Sequence, residues 1–159
     1  MTVPPFPLVS DPGDWPELVL VAATVLLEAE GEPESGQMAV AHVISNRAEA
    51  GESPVRTVIL GPDGRAWGDG RDYEPFSCWN QDAEARARAR LASAPETSAA
   101  RAWKAAAAGY WRLTPDPSHG AFFYLNVELT RRLRGGTLPD WFREEKVTTA
   151  YGRHTFMRA

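Results

Sequence analysis

Leu18 to Arg47 reads LVLVAATVLLEAEGEPESGQMAVAHVISNR, and its two halves decide the fold. Leu18 to Leu27 is apolar on nearly every side. A membrane span takes about 20 apolar residues. This run is too short for that and predicts a helix buried in a protein core. Asp14 is placed to cap it, and Pro16 falls in its first turn, where a missing N–H costs nothing. Gly31 and Pro33 stop it. A second helix is expected from Glu34 to Ala48, capped by Ser35, with Met38, Ala39, Ala41, Val43 and Ile44 on its buried side. Two helices joined by a Gly-Pro turn make an αα-hairpin.

Glu28 stands where the apolar run ends. It continues the face of Val21, Thr24 and Val25 by the helical spacing of three and four residues. A carboxyl at the rim of an apolar wall tends to keep its proton, because its charged form is poorly solvated. A protonated Glu near neutral pH is what a general acid requires. Glu30 and Glu32 lie at the same elbow, and the plain reading of both is a solvated charge.

The length of 159 residues suits one domain, residues 1–159, with a core of its own. A net charge of −4 leaves no basic footprint for nucleic acid or an anionic membrane. Cys78 is the single cysteine, so no intrachain disulfide can form. Residues 1–13 hold four prolines and are expected to lie as an extended arm over the body. They lack the charged and apolar regions of a secretory signal.

Residues 49–75 are rich in Gly, Pro and Asp and read as a long surface loop. Within it, Val55 to Leu60 fits one helical turn or a short strand, and Pro62-Asp63-Gly64 is a turn. Phe76 to Asn80 is FSCWN. Its aromatics fit the wall of a sugar cleft, since rings pack well on pyranose faces. They fit core anchors equally, with Cys78 a small buried hydrophobe. Asp82 to Ala92 and Glu96 to Trp111 predict two more helices, the first mostly solvated. Ser118 to Asn126, SHGAFFYLN, predicts a strand. Val147 to Met157 predicts a closing strand pair with its turn at Gly152 and Arg153.

The stretch from Glu28 to Arg47 resembles the opening motif of the SleB-like cell wall hydrolases, a family of spore-cortex-lytic enzymes and phage or prophage lysins. The pattern E-A-x-G-E-x-x-x-G-Q-x-A-V-A-x-V-x-x-N-R is met by Glu28, Ala29, Gly31, Glu32, Gly36, Gln37, Ala39, Val40, Ala41, Val43, Asn46 and Arg47. FSCWN is similar to a segment of the phage-associated branch. Pro139 and Trp141 match a P-x-W region, and Gly152, His154, Phe156 and Arg158 match the closing G-x-H-x-F-x-R. Gly120, Ala121 and Asn126 fit a G-A-T-H-F-Y-N-like segment, whose histidine falls near Phe123 while this chain has His119. The likeness runs from about residue 17 to residue 158.

The resemblance implies an α+β, lysozyme-like or lytic-transglycosylase-like fold, mostly helical with a small antiparallel sheet and a cleft between hairpin and sheet. It implies cleavage of the MurNAc-β-1,4-GlcNAc bond of peptidoglycan with Glu28 as general acid and then base. Glu32, Gln37, Ser77, Trp79, Tyr124 and His154 become candidates for holding the sugar or orienting Glu28. Gln37 also reads as a cap, and Tyr124 and His154 also read as structural. The expected partner is the peptidoglycan glycan strand, with no nucleic acid, no stable membrane insertion, no metal and no cofactor, acting as a monomer. By the habit of the family, and without a secretory signal, the chain is expected to stay cytoplasmic until released to the cell wall, as a phage or prophage lysin does. Other readings stay open. Cys78 with His119 or His154 could form a peptidase that cuts stem peptides. His42, His119 and His154 could serve a zinc amidase. The chain could also bind the wall without catalysis.

Overall fold

A computed structural model describes residues 2–72 and 74–159. Met1 of the arm and Tyr73 of the long loop lie outside them. The described residues form six α-helices and one three-stranded antiparallel sheet, a mostly helical α+β arrangement. No helix among them is long and apolar enough to cross a membrane.

The apolar run becomes α1, Glu17–Ala29, with Leu20 to Leu26 buried without interruption. The elbow follows, and α2 spans Glu34–Ala50. Neither helix uses the expected cap. Asp14 sits in a separate 3-10 turn, Pro12–Asp14, while Pro16 and Pro33 precede α1 and α2 with no side-chain cap. A proline ring already fixes φ near the helical value, so it orders the first turn without a hydrogen bond. The elbow is held from inside. Gln37 Nε2 donates to the carbonyls of Glu30 and Glu32, at 3.2 Å each.

Val55–Leu60 forms a helix, α3, and not a strand. The loop after it is less superficial than its composition predicts, since Ala66 and Trp67 are buried. α4 spans Glu84–Ser93 and α5 spans Glu96–Tyr110. α5 turns Ala102, Ala105, Ala106, Ala108 and Gly109 inward and lies against both α1 and α2. Small side chains let these helix backbones approach closely. Gly109 meets α2 so tightly that a Cβ there would stand 2.6 Å from the Ala41 backbone and side chain. The N-terminal arm is pinned where Phe6 stacks between Trp15 and Trp103, with ring centroids 6.4 and 5.8 Å away.

The strands are β1, Phe123–Leu125; β2, Val147–Tyr151; and β3, His154–Met157, in the order β1-β3-β2. Tyr124 pairs with Phe156. The SHGAFFYLN strand is shorter than predicted because Asp116 captures the backbone N–H groups of Ser118 and Gly120, at 2.8 and 3.0 Å, and folds that stretch into a turn. Motif residue Asn46 ties this turn to α2, donating to Asp116 Oδ2 at 2.9 Å and to the Ala121 carbonyl at 3.0 Å. A sixth helix, α6, covers Val127–Leu133 behind an Asn126 cap. It buries no residue, so the sequence carries no apolar stripe that would have announced it.

Gly109→Ala is expected to cost about 2–3 kcal/mol by overpacking the α2–α5 contact. Urea unfolding measured beside a control Ala107→Gly variant would separate that clash from a general effect on helix propensity.

Candidate active site

Glu28 occupies the last turn of α1, half-buried. Two donors from different parts of the chain hold its carboxyl. The Cys78 backbone N–H points at Oε1 from 3.3 Å, and the Tyr124 hydroxyl donates to Oε2 at 3.2 Å. The Cys78 thiol adds a further hydrogen bond. Burial pushes the Glu28 carboxyl above its ordinary range, and the Cys78 and Tyr124 donors partly offset that rise. The same burial, with Glu28 close by, pushes the Cys78 thiol and the Tyr124 phenol well up. Both therefore keep their hydrogens and serve as donors.

The FSCWN segment is placed by bonds on all sides. Trp79 is fully buried, and its Nε1 donates to Thr24 Oγ1 at 3.0 Å, one helical turn before Glu28. Thr24 in turn donates to the Leu20 carbonyl at 2.7 Å. From the other side, Trp67 Nε1 donates to the Cys78 carbonyl at 3.0 Å, and Arg71 Nε to the Trp79 carbonyl at 2.9 Å. These bonds use up the carbonyls and leave the Cys78 N–H directed at Glu28. The long loop thus acts as a brace for the carboxyl's donor.

Tyr124 is held by ring contacts. Its centroid lies 4.9 Å from that of His154 and 5.7 Å from that of Phe156. His154 is buried, its Nδ1 has no partner among the described residues, and burial lowers its proton affinity. A neutral imidazole is an apolar support for the Tyr124 ring.

A cavity of about 350 Å³ opens beside Glu28, lined by Leu27, Glu28, Ser77, Cys78, Ala83, Arg86, Ala87 and Arg90. Its far wall is α4 and the turn before it. No described sheet residue lines this cavity, so it is not the hairpin–sheet cleft expected from the sequence. Ser77 is exposed at the cavity rim.

Of the predicted residues, Glu28 and Ser77 line this cavity, and Tyr124 bonds Glu28 with His154 against its ring. Glu32 does not join them and is not a solvated elbow charge. It is 4% exposed, and its Oε2 and Oε1 accept from the Arg153 backbone N–H at 2.8 Å and from Arg153 Nε at 3.2 Å. Gly152 lies against the same carboxylate, where a Cβ would come within 1.9 Å of Oε2. Glu32 therefore fastens the β2–β3 turn to the elbow. Gln37 is equally buried and braces that elbow, and Trp79 faces the core. His42 is fully buried in α2, with Nδ1 3.9 Å from Asp116. Among the described residues, no group of three or more His, Cys, Asp or Glu side chains is placed to hold a metal ion, so the donors of a zinc amidase are not assembled.

Two contributions escape sequence reasoning. The Cys78 amide carries no side-chain signal at all. Arg86 and Arg90 look like solvated helix charges until α4 is set against α1.

The family model described as Cell Wall Hydrolase matches residues 31–157. The chain belongs to the cell wall hydrolase family. Its role is accordingly the breakdown of peptidoglycan, and that polymer is the substrate the site must fit. Glu28 stands just before the matched segment, while its partners Cys78 and Tyr124 stand within it. No curated protein and no solved structure matches the chain.

Two outcomes follow. Glu32→Ala is expected to cost about 1–3 kcal/mol in urea unfolding, because the Arg153 backbone N–H and guanidinium lose the buried carboxylate that accepts from them. An inactive but fully stable variant would instead make Glu32 part of the chemistry. Glu28 binds its proton more tightly folded than unfolded, so it contributes stability at low pH that is lost as pH rises through its folded value. Glu28→Gln should therefore melt above wild type near pH 8 and together with it below about pH 4, where both states carry the proton. Calorimetry across pH checks this, and a gap that widens toward acid would contradict it.

Proposed function

We propose that this cell wall hydrolase cleaves the glycosidic bond between MurNAc and GlcNAc, as a lytic transglycosylase with Glu28 as its general acid and base. The observation that carries the reading is the state of Glu28: a desolvated carboxyl, held by donors from two residues, lining an open cavity. Its raised proton affinity favours the protonated form that a general acid must supply. Delivery of that proton to the glycosidic oxygen breaks the bond as positive charge develops on the sugar. The sugar's own C6 hydroxyl then attacks the anomeric carbon and yields its proton to the Glu28 carboxylate. The product is an anhydro end, and Glu28 is again protonated.

This route needs one carboxylate. Glycoside hydrolysis usually takes two, about 5–9.5 Å apart. Among the described residues, Glu28 is the one carboxylate that lines the cavity, and Glu32 is engaged with Arg153. Both facts favour transglycosylation over hydrolysis. A peptidase built on Cys78 is disfavoured because its thiol is driven toward the neutral form, whereas nucleophilic cysteines are acidified.

Mass spectrometry of fragments released from purified peptidoglycan tests the reading. Wild type should yield anhydro-muropeptides, and Glu28→Gln should lower the rate by about 10²–10⁴-fold. Reducing MurNAc ends would mean hydrolysis. Free stem peptides, undiminished in the variant, would overturn the glycosidic reading.

A further inference from the structure

The cavity beside Glu28 carries two cations on its α4 wall. Arg86 and Arg90 stand four residues apart and share one helix face, and Ala83 and Ala87 keep that wall low between them. The arginines of α4 differ in how they are used. Arg90 is engaged by Glu30, with Nε 2.6 Å from Oε2 and a second contact through Nη2. Arg88 bonds Glu84 at 2.9 Å and lies 4.5 Å over the Trp67 ring. Arg86 lines the cavity, is exposed, and makes no hydrogen bond or ion pair among the described residues. Glu28 does not serve as its counter-ion, since among the described residues Cys78 and Tyr124 are the ones that bond that carboxyl. The cavity thus presents an unpaired guanidinium in a chain whose net charge is −4.

We propose that Arg86 forms a carboxylate subsite that selects peptide-bearing glycan over neutral glycan. The inference rests on the glycosidic reading above and names the part of the substrate that reading leaves unassigned. Glycan sugars offer hydroxyls and amides but no charge. The peptide stem on the muramic unit does carry free carboxylates, and it leaves the strand close to the bond that Glu28 would protonate. A guanidinium matches a carboxylate with two parallel N–H donors. Arg86 therefore acts in substrate binding and sets specificity, while Glu28 performs the chemistry.

The test compares purified sacculi with the same sacculi whose carboxylates have been converted to neutral amides by carbodiimide and ammonia. Wild type should favour the untreated wall by about three- to tenfold in kcat/KM, the range expected for one partly solvated charge pair. Arg86→Gln should lose most of that preference, chiefly through KM on untreated wall, and Arg86→Lys should keep part of it. Binding is read separately by cosedimentation of the Glu28→Gln protein, with and without Arg86→Gln, on both walls. If wild type treats the two walls alike, or if Arg86→Gln discriminates as wild type does, the subsite is wrong. If Arg86-dependent binding persists while no Glu28-dependent sugar ends appear, the glycosidic reading falls and the subsite stands.

Discussion

A carboxyl group at the end of a fully apolar helix is poorly hydrated, and much of this protein's arrangement answers to that condition. α1 is buried from Leu20 to Leu26, so the turn that follows it begins inside the protein. Glu28 there is met by donors that stay protonated themselves, the Cys78 amide and thiol and the Tyr124 hydroxyl. These donors temper the desolvation but do not cancel it, and the carboxyl keeps an elevated proton affinity. A carboxyl paired with arginine would have gone the other way and lost its use as an acid. Of the two cations that line its cavity, Arg90 faces Glu30 and Arg86 makes no bond to Glu28.

Holding two donors from distant segments requires rigid supports on both sides. On one side the Thr24–Trp79 bond fixes FSCWN to α1, and Trp67 and Arg71 hold its carbonyls. On the other, the pairing of Tyr124 with Phe156 and the packing of His154 fix the phenol ring. Glu32 joins the two halves by fastening the β2–β3 turn to the helical elbow. Several motif residues are thus structural in this fold: Glu32, Gln37 and Asn46 keep the supports of Glu28 in register.

Helices α1, α2, α4 and α5 were legible because each buries apolar residues at helical spacing or follows a proline, whereas the six residues of α3 fit a short strand as well as a helical turn. α6 was not, because it buries nothing. Caps were misread where prolines replaced them at Pro16 and Pro33. Among site residues, Glu28 could be read from the end of an apolar run, and Tyr124 from the resemblance. Glu32 misled because three acidic residues in an elbow look alike until a partner is known, and its partner, Arg153, is 121 residues away. The burial of Trp79 was not legible because an aromatic after a flexible loop fits a sugar wall and a core anchor equally.

By itself the sequence determined the helical hairpin, the closing strand pair, the position of Glu28 and the cell wall hydrolase family. Those follow from local spacing and from a contiguous motif. Only the tertiary structure decided which groups touch the carboxyl, that Glu32 serves the hairpin turn, and that α4 rather than the sheet walls the cavity. The reason is physical. Desolvation and hydrogen bonding act over a few ångströms in space, and the segments that supply them here lie 50 and 96 residues from Glu28 along the chain.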